Sequence, residues 1–338
     1  MCNRKEVLET IPTSARALSV LDLDLNSNVL PTERTLGVQW NMNSDMFTFK
    51  MTPKDKPFTR RGILSVTSSI YDPLGMVSPI ILPVKRLLQD LCKQGLSWDE
   101  EIGAQESQCW RLWLSDLPLL SSVALPRCLR PVDLGQIQDA ELHHFADASQ
   151  IAYGTVSYAR LVDENGRTHC SFLAGKSRLP HMKQMTIPRL ELSAAVLAVR
   201  MNQILQEEFQ LKFDRTSFWT DSTAVLQYIK NEDKRFYTFV ANRLAVIHDG
   251  SQPSQWNYVP TNINPADDVS RGLTVKELLN SERWFSGPAF LWEDKSSWPV
   301  NPISLANISD EDPEIRTQGQ MNHLTQMEEK QPLDLMML

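Results

Sequence analysis

Two different rhythms of apolar residues run along this chain. The early part opens with strand-like alternation in Thr35–Trp40 and Met46–Lys50, and turn-forming residues 41–45 lie between them, which predicts a β-hairpin. From Thr59 the spacing changes to that of a helix. Ile63, Val66 and Ile70 share one face, and Asp72-Pro73-Leu74-Gly75 predicts its end. Val84, Leu87, Leu88 and Leu91 define a second amphipathic helix, with Gly95 placed to cap it. Trp110, Trp113 and Leu117 form the stripe of a third, over residues 100–117. These stripes read as core. Residues 1–34 suggest a polar helix and a loop, and residues 118–131 are a loop-rich approach to the second half of the chain.

That second half alternates strand and helix patterns. A strand ends at Asp147, and runs over 152–159 and 168–173 flank Asp163-Glu164-Asn165-Gly166, a strong hairpin signal. Pro188 suits a first helical turn, and Leu190, Ala194, Leu197, Met201 and Leu205 keep helical spacing behind it. Glu191 is expected in that first turn. A short strand over 216–220 leads through Asp221 into a helix carrying Val225 and Ile229. Another helix carries Phe236, Val240, Leu244 and Ile247, and a last strand covers 255–259. Asn264-Pro265-Ala266-Asp267-Asp268 then opens what reads as the final helix. Past Gly272 the chain is rich in Trp and Pro, and beyond about residue 301 it is polar and aperiodic, which predicts disorder.

Composition narrows the class. A length of 338 residues favours about two domains. No apolar run reaches the roughly 18 residues of a membrane helix, and the first residues do not resemble a signal peptide. The 5 cysteines are scattered, which suits a reducing, intracellular compartment rather than a disulfide scaffold. A net charge of −7 means that any nucleic-acid contact must come from a local basic patch.

Four carboxylates sit in specific local settings: Asp147 at a strand end, Glu191 on a helix, Asp221 at a strand-to-helix junction and Asp267 at a helix start. Each has an ordinary alternative; Asp221, for instance, could simply cap its helix. Brought together, they would repel one another unless cations neutralised them. Hard oxygen ligands of this kind suit Mg²⁺ or Mn²⁺, and two such ions can clamp an in-line phosphodiester displacement.

The wording around these residues resembles the Pol polyprotein of BEL/Pao-type LTR retrotransposons, the Pao retrotransposon peptidase family. The resemblance rests on Phe145-Ala-Asp-Ala-Ser149, Lys176-Ser-Arg178, Thr186-Ile-Pro-Arg-Leu-Glu-Leu192, Trp219-Thr-Asp-Ser222, Asn264-Pro-Ala-Asp267 and Ser270-Arg-Gly272, and it covers roughly residues 1–300. It implies an α/β ribonuclease-H-like domain over 138–273, with a mixed five-stranded sheet flanked by helices. An α+β reverse-transcriptase thumb/connection fragment over 1–130 would precede it. A Trp/Pro-rich linker over 274–300 and a disordered tail over 301–338 would come after it. It further implies that Asp147, Glu191, Asp221 and Asp267 hold two Mg²⁺ or Mn²⁺ ions and cut the RNA strand of an RNA·DNA hybrid. Asp268 is the alternative fourth ligand. Leu36, Gly37 and Trp40 resemble a primer grip, and other Pol parts are expected as partners.

The chain departs from that pattern in places. No Tyr-x-Asp-Asp is present, so the polymerase palm is missing, and neither Asp-Thr-Gly nor Asp-Ser-Gly is present for aspartic-peptidase chemistry. The loop 259–264 has no histidine to help product leave. Lys176, Arg178, Lys183 and Arg189 could substitute for a missing basic handle, or form only a solvated loop. A catalytically silent remnant that binds nucleic acid or serves structurally is the competing reading.

Overall fold

Strand β1 (Thr32–Thr35) pairs antiparallel with β2 (Val38–Asn41), which pairs in turn with β3 (Met46–Thr48). Trp40 faces Phe47 in that register, and its indole N–H donates to Asp45 at 2.8 Å. The computed structural model describes residues 10, 12, 32–35, 38–50, 55–181, 185–302, 308–309 and 311–316. Leu36, Gly37, Lys183 and most of the helix expected before residue 34 lie outside them.

Three helices come next, as the apolar spacing predicts. Helix α1 (Arg60–Ser69) begins at Thr59, whose side chain accepts from the Gly62 N–H. Helix α2 (Ser78–Lys93) starts earlier than its Leu-rich stripe suggests, with Pro in its first turn and Pro83 inside. Gly95 lies just beyond it with φ of 75°. Helix α3 (Ala104–Asp116) is shorter than the 100–117 span. The loop after it carries β4 (Ala124–Pro126), which completes a four-stranded sheet in the order β1-β2-β3-β4.

A second sheet is built from β5 (Ile137–Ala148), β6 (Tyr153–Asp163), β7 (Thr168–Arg178), β8 (Arg215–Thr220) and β9 (Trp256–Tyr258), in the order β7-β6-β5-β8-β9. The first three are antiparallel neighbours, while β8 and β9 run parallel to β5. This is a mixed five-stranded sheet of the ribonuclease-H-like α/β class.

The period of two along a strand sorts its side chains to opposite faces. Ala146 and Phe218 face helices α4 (Ile187–Glu208), α5 (Thr223–Lys230) and α6 (Thr238–Gly250). Phe145 and Trp219 face the other way, into an apolar cluster that includes Ile63, Ile80 and Trp110 of the N-terminal helices. The two sheets stay separate, but the N-terminal helices share one apolar cluster with the second sheet. One close approach shows why: Gly175 of β7 donates to the Leu74 carbonyl at 2.8 Å, opposite Gly75, whose φ is 72°. A Cβ on Gly75 would lie 1.7 Å from the Gly175 oxygen, so no larger residue fits.

Two further expectations are corrected. Asp267 does not open the final helix: α7 (Asp267–Arg271) is followed by α8 (Val275–Asn280) and α9 (Glu282–Ser286). The Trp/Pro-rich stretch is therefore packed rather than a linker. Trp284 is fully buried and donates to the Met76 carbonyl at 2.8 Å, and Arg160 reaches from β6 to the Leu291 carbonyl at 2.7 Å. Beyond residue 301, Ile308 and Glu314 are buried, and Phe236 forms a β-bridge with Ile315. That part of the tail is ordered because it covers apolar surface beside α5 and α6. No helix among the described residues is long and apolar enough to cross a membrane.

Candidate active site

The register of the central sheet places the first two carboxylates. Ala146 of β5 is paired with Thr220 of β8 in parallel, so Asp147 and Asp221 leave neighbouring strands at the same level. Adjacent strands lie about 4.8 Å apart. Asp147 is buried, and the Ser270 hydroxyl donates to its Oδ2. Asp221 accepts from the Thr261 hydroxyl at 2.6 Å, while its Oδ1 is enclosed with no hydrogen-bond partner among the described residues.

Glu191 comes from the helical side of the sheet. The helix starts at Ile187, so Glu191 lies just past the first turn rather than in it, and the direct help of the helix N-terminus is correspondingly weaker. Ser222 fixes it instead, donating to Glu191 Oε2 at 2.6 Å while its own Oγ accepts from Val225 N–H. Ser222, not Asp221, is thus the cap of α5, which leaves the Asp221 carboxylate free of that duty.

Asp267 arrives from the opposite face on α7. Buried Asn264 pins the preceding loop by donating to the Ala146 carbonyl at 3.3 Å and accepting from Ala266 N–H. The adjacent Asp268 is engaged elsewhere: Arg283 pairs with it at 2.5 Å and Ser281 donates to it. Asp267 itself is held by Arg271 at 2.5 Å.

Electrostatics ties the group together. Burial, with Asp221 and Asp267 adding to it and the Ser270 hydrogen bond opposing, pushes the Asp147 carboxyl up to about 7. Burial also raises Glu191, and Asp221 adds to that. Asp267 is raised by burial, with Asp221 and Asp268 contributing and Arg271 and Arg283 opposing. Crowded, desolvated oxygens of this kind fit a hard cation. Among the described residues, however, no three His, Cys, Asp or Glu side chains converge into a metal-holding group. Ser270, Ser222 and Arg271 each keep one carboxylate on its own partner.

Ser222, Ser270, Thr261 and Asn264 do not stand out as site residues in the sequence. Ser222, Ser270 and Asn264 lie inside the motifs around the carboxylates, but a hydroxyl beside an acidic residue has no signature until its target is known. Of the basic stretch, Lys176 and Arg178 lie on β7 and are exposed. Arg189 is taken: Glu314 binds it through two contacts, at 2.6 and 3.0 Å. Trp40 is buried, with Arg127 stacked 5.0 Å from its ring.

Residues 59–222 match the model of the Pao retrotransposon-like RNaseH-like domain. That span contains Asp147, Glu191 and Asp221 and ends before Asp267. No curated protein matches the chain. Among solved structures, the N-terminal RNase H domain of rv2228c from Mycobacterium tuberculosis is similar at 13% identity with a TM-score of 0.26, over 42% of this chain and 99% of that one. RNase H1 from Halobacterium salinarum is similar at 14% identity with a TM-score of 0.26, over 42% and 98%. The foamy viral protease-reverse transcriptase, solved with dsDNA, is similar at 15% identity with a TM-score of 0.20, over 68% and 45%. The fold is assigned from the strand order of the central sheet, not from these likenesses.

Proposed function

We propose that this chain, whose residues 59–222 match the Pao retrotransposon-like RNaseH-like domain, is a metal-dependent nuclease that cuts the RNA strand of an RNA·DNA hybrid. The observation that carries this reading is the Ala146–Thr220 register, which sets Asp147 and Asp221 side by side, with Asp267 and Glu191 in electrostatic reach. These four residues would hold two Mg²⁺ or Mn²⁺ ions, which when bound activate water and stabilise the leaving oxygen of a phosphodiester. The chain's own part is positioning. Ser270 orients Asp147, Ser222 orients Glu191, Thr261 steadies Asp221, and Asn264 sets the loop that brings Asp267 in. Lys176, Arg178 and Lys183 would contact the nucleic-acid backbone, with Arg189 joining once Glu314 releases it. The N-terminal region, with Leu36, Gly37 and Trp40, would support the hybrid as a thumb/connection unit, beside other Pol parts. No Tyr-x-Asp-Asp is present, and this reading assigns the chain no polymerase step.

One observation favours a second reading, a silent remnant that binds nucleic acid without cutting it. Arg271 already supplies Asp267 with a positive charge, where a cation would otherwise be needed. Incubating the full chain with end-labelled hybrid, with and without Mg²⁺, separates the two. Cleavage that depends on metal supports the nuclease, and binding with no cleavage supports the remnant.

A further inference from the structure

Pro83 lies in the interior of α2, at an exposed position. Any other residue there would donate its N–H to the carbonyl four positions back, at Pro79. Proline has no N–H, so the Pro79 carbonyl is released from the helix ladder. It does not go unpaired. Leu273, just past the end of α7, donates its N–H to it at 3.1 Å. The next carbonyl, at Ile80, accepts from the Trp113 indole of α3 at 2.9 Å. Gly272 makes the close approach possible. Its φ is 85°, and a Cβ there would lie 3.1 Å from Pro83 Cγ and 3.3 Å from the Pro79 oxygen.

The element docked in this way serves the carboxylate centre. Asp267 is the first residue of α7, and Ser270 donates from it to Asp147. Two contacts hold α7 on the sheet side. Asn264 pins the loop before it to the Ala146 carbonyl, and the Ser149 hydroxyl donates to the Ser270 carbonyl at 2.7 Å. The Leu273–Pro79 bond fastens the other end, to the N-terminal helices. With only 5 residues, α7 cannot shift at that end without moving Ser270 and Asp267.

We propose that Pro83 is a positioning residue for the carboxylate centre. It keeps the Pro79 carbonyl open to Leu273, so that α2 holds α7 where Ser270 meets Asp147 and Asp267 joins the group. A proline in an exposed helix interior destabilises the helix, and the Leu273 contact gives that cost a function. The inference rests on the nuclease reading for the metal ions that the group would hold.

The test compares Pro83→Ala with the wild type and with Pro79→Ala, each in the full chain. Alanine at 83 restores an N–H that competes with Leu273 for the Pro79 carbonyl. Alanine at 79 keeps that carbonyl and adds an N–H only in the first turn, outside the ladder. Melting temperature and exchange of the Leu273 amide are measured in EDTA, and Mg²⁺ affinity by calorimetry. Pro83→Ala is expected to melt no lower than the wild type and to exchange faster at Leu273. Its Mg²⁺ binding should be weaker by about tenfold, as when an outer partner of a metal ligand is lost. Pro79→Ala should keep wild-type exchange at Leu273 and wild-type Mg²⁺ affinity. Stability and Mg²⁺ affinity moving apart is a result that a packing defect does not give. Wild-type Mg²⁺ affinity in Pro83→Ala, an equal loss in Pro79→Ala, or a loss accompanied by a lower melting temperature would overturn the proposal. A wild type that binds no Mg²⁺ would overturn the nuclease reading and this inference together. A wild type that binds Mg²⁺ and cuts hybrid, matched in both by Pro83→Ala, would overturn this inference alone.

Discussion

Asp147 and Asp221 stand side by side because Ala146 and Thr220 are register partners on parallel strands. Their proximity follows from backbone pairing, so no flexible loop has to deliver either group. It also carries an electrostatic cost, since burial and the neighbouring Asp221 push the Asp147 carboxyl up to about 7.

Ser270 is the direct support of Asp147. Ser270→Ala leaves Asp147 Oδ2 without its hydroxyl donor. Loss of such an outer partner costs about 10–100-fold in metal affinity or activity. The expected result is a higher Mg²⁺ concentration for half-maximal hybrid cleavage, with the rate recovering in excess Mg²⁺. An unchanged Mg²⁺ dependence would remove Ser270 from the site.

Acid stability should depend on His144. Burial, with His143 beside it, pushes this imidazole down to about 3 against the hydrogen bond to Asn202. Below about pH 6.5 the unfolded chain takes up a proton that the folded chain refuses. The contribution of neutral His144 is thus complete above pH 6.5. It is lost as pH falls toward 3, by up to about 1.4 kcal/mol per pH unit. Urea melts at pH 7.5, 6.0 and 5.0 should show the wild type losing more stability than His144→Met. Parallel curves would mean that His144 takes up its proton in the folded state as well.

Trp284 ties the C-terminal segment to both earlier regions, packing on Gly175 and donating to Met76. Trp284→Ala is expected to cost about 3–5 kcal/mol, as large aromatic truncations in a core do. Denaturant titration of the purified chain measures it. A loss below about 1 kcal/mol would show that the segment is not part of the folded core.

Much of this is legible in the sequence, for physical reasons. Helical spacing marks α1 and α4, and turn chemistry at Asp163–Gly166 marks the β6–β7 hairpin. The order of strands and helices around Asp147, Glu191 and Asp221 points to the sheet. Other features are hidden because they depend on long-range partners. Trp284 cannot be told from a linker tryptophan without Met76 and Gly175 beside it. Glu314 reads as tail until Arg189 pairs with it. The different surroundings of Asp267 and Asp268 depend on Arg283, fifteen residues beyond Asp268, which lies 2.5 Å from Asp268 and 3.9 Å from Asp267.

The most direct measurement of the central claim uses wild type and Asp221→Asn with labelled RNA·DNA hybrid, together with melting curves with and without Mg²⁺. The amide keeps the size of the side chain but removes the charge that would hold a cation. The account predicts Mg²⁺-dependent cleavage by the wild type and its loss in Asp221→Asn. It also predicts that Mg²⁺ raises the melting temperature of the wild type more than that of the variant, because a ligand stabilises only the fold that binds it. Equal stabilisation of both proteins, with the hybrid left uncut by the wild type, would contradict it.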